Sequence, residues 1–193
     1  MESSNNKHDA ILITARKLFW KFGFKKVSIE EICREAEVSK MTFYKFFPNK
    51  LEVARKVFDN EAEKGMMEFK SIMREKTTAA QKLVKILQIK HQGTNEISRD
   101  FLADFYNNPE LGLKAHIEKV TLNMWNVIIS DFKVAQENGI FRKDFKPELL
   151  WYFSQKMIDM INDPQLSKMF SNPHDMIMEL ASFFVYGISG EKQ

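Results

Sequence analysis

Lys40, Met41, Thr42, Tyr44 and Lys45 fall within six consecutive positions. Two ammonium groups, two hydroxyls and a thioether do not make a catalytic set, because no nucleophile–base pattern, phosphate loop or metal motif accompanies them. They suit the grip on a polyanion. Lysines neutralise phosphate charge, and the hydroxyls of Thr and Tyr donate to phosphate oxygens. Met41 is suited to lie against a thymine methyl group or simply to fill space.

Such a set acts only if neighbouring elements present it. Ser28 followed by Glu31 is a capping-box signal, and Ile29, Ile32, Cys33 and Ala36 then share one helical face. Ser39 can cap a second, short helix that Pro48 ends. Helix, three-residue turn and helix make a helix-turn-helix, whose second helix fits a DNA major groove. Ile32, Cys33, Ala36, Val38 and Phe43 form the packed face, which turns Lys40, Met41, Thr42, Tyr44 and Lys45 outward. An earlier helix carries Ile11, Ala15, Leu18 and Phe22 on one face, with Gly23 where a C′ glycine is expected. Asn49 can cap a fourth helix bearing Leu51, Ala54, Val57 and Phe58, whose free N–H groups suit a further phosphate.

Charge follows the same division. The net charge of the 193 residues is +3, yet residues 1–50 hold ten Lys/Arg against six Asp/Glu, so the whole positive excess lies in the first quarter. That points to an anionic partner for this end, against the alternative of a lysine-rich solvated face. The hydrophobic fraction of 44% argues against wholesale disorder, and 7 Gly with 5 Pro are too few for an all-β chain of many turns. One cysteine excludes a disulfide framework and fits a reducing, cytoplasmic compartment. Cys33 sits on a packed face, which favours a structural role over a redox sensor. His8, His91 and His174 show no metal spacing, so no metal and no cofactor are expected. No apolar run is long enough to cross a membrane, and the polar start is not a secretory signal.

Beyond residue 58 the chain continues as helices divided by breakers. Expected spans are 79–92, 96–106, a long stretch from Pro109 to about 138, one opened by Pro147 and closed at Asp163-Pro164, and one after Pro173. The expected fold is all-α with about nine helices: a basic N-terminal three-helix domain over 1–50, then a larger bundle over 51–193, linked by the helix from about 49.

Residues 28–53 carry a resemblance. Ser28, Ile32, Cys33, Ala36, Glu37, Val38, Ser39, Thr42, Tyr44, Phe46, Phe47, Lys50 and Val53 stand in register with the pattern T-x-x-x-I-A-x-x-A-G-V-S-x-x-T-x-Y-x-[YH]-F-x-x-K-x-x-L. This segment resembles the TetR (tetracycline-repressor-type) family of bacterial transcription regulators. The specific agreement covers about the first 55 residues, and a weaker likeness lies at 137–144. Glu37 stands where the family usually has Gly, Cys33 where Ala is common and Met41 where Gly is common. If the backbone at Glu37 is left-handed, the side chain costs on the order of 1 kcal/mol.

The resemblance implies a dimeric, sequence-specific DNA-binding regulator, a repressor released from a near-palindromic operator by a small, largely apolar effector. It implies a recognition helix from Lys40 to Lys45 that Ser39 starts, and phosphate contacts at Thr42, Tyr44 and Lys50, joined by Ser28, Lys25 and Lys26. For the larger domain it implies effector binding, expected around Phe101, Phe105, Tyr106, His116, Asn123, Met124, Trp125, Ile128 and Trp151. It implies dimerisation there too, expected through Trp151, Phe153, Met157, Ile161, Phe183, Phe184, Gly187 and Ile188. Two other classes compete: an enzyme on a helical scaffold, and a helix-turn-helix protein acting through protein partners. Turnover would mark the first, and an absence of salt-dependent DNA binding the second.

Overall fold

A computed structural model describes residues 2–107 and 112–188, and the side chains of 6–107, 112–183, 185 and 186. The described residues form helices and connecting turns, with no strand among them. In order the helices are α1 (Glu2–Lys26), α2 (Ile29–Glu35), α3 (Lys40–Phe46), α4 (Lys50–Arg74), α5 (Ala79–Thr94), α6 (Arg99–Tyr106), α7 (Lys114–Glu137), α8 (Glu148–Ile161), α9 (Pro164–Ser167) and α10 (Pro173–Ile188).

Several boundaries differ from expectation for local reasons. Gly23 does not end α1 but breaks it, at φ +80° and ψ 170°, and one further turn follows. Phe22 is not a core residue of that face: it is 37% exposed, while Phe19, Trp20 and Phe24 are buried. Gly93 lies inside α5, which runs on to Thr94. Pro109 lies outside the described residues, and the long helix begins at Lys114. Asp163-Pro164 starts a helix as well as stopping one. The Asp163 carboxylate accepts the N–H groups of Gln165 and Leu166, at 2.8 and 2.9 Å, and so caps the short α9.

The chain divides into two compact units, and the cut is not sequential. The first unit takes Met1–Ala62 together with Glu96–Val120, and the second takes Glu63–Asn95 with Thr121–Gln193. The sequence boundary at 50/51 thus does not coincide with the packing, because α6 and the start of α7 return to the first unit. Its core is aromatic: Trp20 and Phe101 ring centroids are 4.4 Å apart and those of Phe101 and Phe105 4.3 Å apart, with Phe19, Phe24 and Phe43 buried in the same cluster. The second unit packs Phe69, Leu83, Phe132, Phe141, Phe145 and Leu150 together. Within it the ammonium of Lys82, a fully buried residue, donates to the carbonyls of Ile72, Met73 and Glu75 at the end of α4, at 2.6, 3.1 and 2.6 Å. The Ile72 and Glu75 carbonyls also take the N–H groups of Glu75 and Thr77, so the ammonium adds a donor to a turn already closed by backbone bonds.

Candidate nucleic-acid interface

The helix-turn-helix is built by caps. Ser28 Oγ accepts the Glu31 N–H at 3.1 Å and starts α2. At the other end of α2 the Val38 N–H bonds the Cys33 carbonyl at 2.9 Å and the Glu37 N–H bonds the Arg34 carbonyl at 3.2 Å. That pair is a Schellman closure, which requires a left-handed residue at Glu37, and Glu37 has φ +53°. Ser39 Oγ then accepts the Thr42 N–H at 3.1 Å and lies 3.0 Å from Thr42 Oγ1, so the turn ends and α3 begins within two residues. Asn49 Oδ1 accepts the Glu52 N–H at 2.9 Å and starts α4.

These joints fix which side chains of α3 face out. Phe43 is fully buried, its ring 6.0 Å from that of Phe47, and it anchors the helix in the core. Met41 is 72% exposed and Tyr44 54% exposed, large apolar surfaces that packing does not use. Ser39, Lys40 and Lys45 are exposed beside them, and Thr42 is half-buried. The Lys40 ammonium pairs with the Glu30 carboxylate from α2. That bond holds the Glu30 carboxyl below its usual range and raises Lys40. The pair is exposed, so a phosphate can compete for the lysine. Cys33 is buried under α3, and burial raises its thiol pKa, as expected of a structural cysteine rather than a reactive one.

Two of the expected phosphate-binding lysines have their ammonium groups engaged elsewhere, and a third is tied by its backbone. The Lys50 ammonium donates to the carbonyls of Phe24 and Val27, at 2.7 and 2.6 Å, and sits 4.2 Å from the centre of the Phe24 ring. Burial pushes its pKa below the ordinary lysine value. This corrects the expectation for Lys50, whose charge is turned inward to hold the α1–α2 junction. Lys26 Nζ donates to Asp100 of α6 at 2.6 Å, and the Lys25 backbone N–H donates to Asp104 at 2.8 Å while its side chain is exposed.

The break at Gly23 explains those contacts. Two backbone groups beside the break, the Trp20 carbonyl and the Lys25 N–H, bond to partners outside α1. α6 supplies both: the Ser98 N–H, at its N-cap, bonds the Trp20 carbonyl at 2.9 Å, and the buried Asp104 carboxylate takes Lys25. Lys50 takes the two carbonyls beyond the break. Sequence reasoning missed Asp100 and Asp104. Their one signal was an i, i+4 acidic pair on α6 matching the basic Lys25-Lys26.

The expected pocket residues are drawn from both units. Phe101, Phe105, Tyr106 and His116 belong to the first unit. The two phenylalanines are core residues, burial pushes the Tyr106 hydroxyl up to about 12, and His116 Nε2 lies 2.7 Å from the Asp59 carboxylate. Met124, Trp125, Ile128 and Trp151 belong to the second unit, where the two tryptophan rings meet edge to face at 5.9 Å. Asn123 is exposed, on the outer side of α7.

The expected dimer set is also sorted. Met157 is buried within its own unit, whereas Phe183 is 74% exposed and Trp151, Phe153 and Ile161 are half-buried. The side chains of Phe184, Gly187 and Ile188 lie outside the described residues. Leu149, Tyr152, Met160 and Tyr186, not singled out from the sequence, add exposed apolar surface to α8 and α10.

Residues 11–57 match the family model described as bacterial regulatory proteins, tetR family. Over 150 residues the chain is 29% identical to an uncharacterized HTH-type transcriptional regulator, YhgD of Bacillus subtilis (strain 168), covering 75% of this chain and 74% of that one. Its fold is that of the fatty acid degradation regulator FadR from Bacillus halodurans, with a TM-score of 0.69 at 17% identity, covering 96% of this chain and 97% of that one. It is also that of the transcriptional regulator FadR from Bacillus subtilis in complex with stearoyl-CoA, with a TM-score of 0.68 at 16% identity, covering 93% and 98%.

Proposed function

We propose that the chain is a regulator of the TetR family, whose model residues 11–57 match, and that it binds a near-palindromic operator as a homodimer and is released from it by an apolar effector. The observation that carries the reading is the outer face of α3. Met41 and Tyr44 stand exposed among lysines and hydroxyls on a helix that the buried Phe43 and the Ser39 cap hold in place. Met41 and Tyr44 reach the groove, Thr42 and Lys45 take phosphates, and Ser28, Ser39, Lys25, Lys26 and Lys40 line the flanks. Lys50 acts behind this face. Residues 1–50 serve DNA and 51–193 serve the effector and the second protomer.

Dimerisation is assigned to the exposed apolar residues of α8 and α10, with Tyr152, Phe183 and Tyr186 at the centre. A two-fold axis there sets two recognition helices against successive major grooves, about 34–36 Å apart. Effector binding is assigned to the second unit, near Met124, Trp125, Ile128 and Trp151. FadR of B. subtilis holds stearoyl-CoA on the same fold, so long-chain acyl-CoA is the first effector class to screen. The effector acts by binding the DNA-incompetent state more tightly than the competent one. Repression is the sign we assign, in a cytoplasmic protein.

The test is fluorescence anisotropy on the chain's own upstream intergenic DNA over a salt series, beside a scrambled duplex and Tyr44→Ala. Sequence-dependent binding that weakens steeply with salt, and is lost in a Tyr44→Ala variant of unchanged melting temperature, is expected. Absence of binding to either duplex at low salt would overturn the proposal.

A further inference from the structure

His91 and His174, far apart in sequence, meet in the second unit. His91 lies in the last turn of α5 and His174 in the first turn of α10. Their ring centroids are 4.6 Å apart, with the planes at 84°. A third residue decides the state of one ring. Thr94 Oγ1 donates to the Lys90 carbonyl one turn back in α5, at 2.8 Å. A hydroxyl has one proton, so toward His174 Nδ1, at 3.0 Å, Thr94 can only accept. Nδ1 therefore carries the hydrogen, and in the neutral ring Nε2 keeps its lone pair. Thr94 is 9% exposed, which shelters this bond from water.

An imidazole whose N–H is held by an oxygen acceptor, leaving the other nitrogen basic, is the arrangement by which proteins orient a metal-binding histidine. His91 precedes Thr94 by one turn on the same face of α5. The His174 ring thus meets Thr94 through its protonated nitrogen and His91 from α5 as well. Metal–nitrogen bonds of about 2.0–2.1 Å place two imidazoles on one cation with centroids roughly 5 Å apart, close to the spacing present.

We propose that His91 and His174 form a two-imidazole site for a borderline divalent cation of the zinc, nickel or copper kind, joining α5 to α10. Among the described residues no third His, Cys, Asp or Glu completes a cluster. The remaining positions on the cation fall to water or to an incoming ligand. Oxygen-preferring cations such as magnesium gain nothing from imidazoles and are not held. The site owes nothing to the DNA-binding reading and stands or falls separately.

The test uses the full chain, with no histidine tag and stripped by chelator, titrated calorimetrically with zinc and nickel chlorides against a magnesium control. One equivalent of zinc or nickel per chain is expected. His91→Ala removes an exposed side chain without threatening the fold, and His174→Ala removes the partner; each weakens binding at least tenfold. Thr94→Val keeps the shape, removes no ligand and withdraws the acceptor, and weakens binding 10- to 100-fold. Nitrogen NMR of the metal-free protein finds the His174 proton on Nδ1. Zinc binding undiminished in the His91→Ala/His174→Ala double variant overturns the proposal, as does a zinc response no greater than that of magnesium.

Discussion

Gly23→Ala is the substitution on which the account of the α1 break stands. At φ +80° and ψ 170° the residue occupies a corner of the backbone map that is essentially glycine's own, and a side chain there costs on the order of 1–3 kcal/mol. A Cβ would also lie 2.8 Å from Asp104 Oδ2, 2.9 Å from Asp100 Cβ and 3.0 Å from the Asp100 carbonyl carbon. The carboxylate can rotate away, but only by weakening its bond to the Lys25 N–H, and the Asp100 backbone is fixed in α6. The other escape is to straighten α1. That dislodges Phe24 from the core and strips Ser98 and Asp104 of their partners, at about 1 kcal/mol per hydrogen bond. Alanine recovers about 0.4–1 kcal/mol from the unfolded chain. The net loss is about 3 kcal/mol, a fall in melting temperature of about 6–12 °C for a chain of this length. The assay is a far-UV circular dichroism melt, with Gly65→Ala as the internal control. Gly65 lies in α4 with open space around its Cβ position, so the same replacement there gains about 0.5–1 kcal/mol. A Gly23→Ala melt no lower than that of wild type would refute the reasoning.

Glu37→Gly relieves a left-handed non-glycine residue at φ +53°, and melts at or above the wild-type temperature, by no more than about 1 kcal/mol; clear destabilisation would sink the Schellman assignment. Lys50→Met leaves the carbonyls of Phe24 and Val27 without their donor and costs about 1–3 kcal/mol in urea unfolding. If Lys50 instead served phosphate alone, the same variant would keep its stability and lose only DNA affinity. Cys33 links stability to alkaline pH. Its folded pKa is raised above the ordinary 9.0 by burial, so its contribution is fully present below that value. As pH climbs further the unfolded chain sheds the proton first and stability falls until the folded thiol also ionises. Urea melts on either side of pH 9.0 show this decline, and Cys33→Ala removes that component of it.

The first fifty residues were legible because their instructions are local. Ser28, Ser39 and Asn49 are caps whose partners lie three residues on, and each bonds the expected N–H. Helical periodicity correctly turned Phe43 inward and Met41 and Tyr44 outward. Periodicity tells that a residue is buried but not what buries it. Phe101 and Phe105 show the same apolar pattern whether they line a cavity or fill a core, and they fill the core around Trp20. Lys50 matched a phosphate-binding pattern, but its ammonium is claimed by the carbonyls of Phe24, in the last turn of α1, and Val27, in the link that follows. His91 and His174 are unremarkable in sequence, because their meeting depends on how α5 and α10 pack.

The non-sequential makeup of the first unit bears on how this protein is made. α1 through the start of α4 emerge from the ribosome without Ser98, Asp104, Phe101 and Phe105, which close that unit. At the usual 5–20 residues per second, the stretch from Ala62 to Tyr106, the end of α6, takes about 2–9 s to synthesise. Throughout that interval Phe19, Trp20 and Phe24 have no α6 to cover them, and the bonds from Ser98 and Asp104 to the Trp20 carbonyl and the Lys25 N–H are not yet made. The nascent chain thus carries its basic surface and its adhesive aromatic face together before either is secured. Chaperone capture, translation pausing or a nonsense codon within that window acts on a species unlike the finished protein. A fragment ending near Ala62 keeps the motif that defines the family but lacks the groups that lock it.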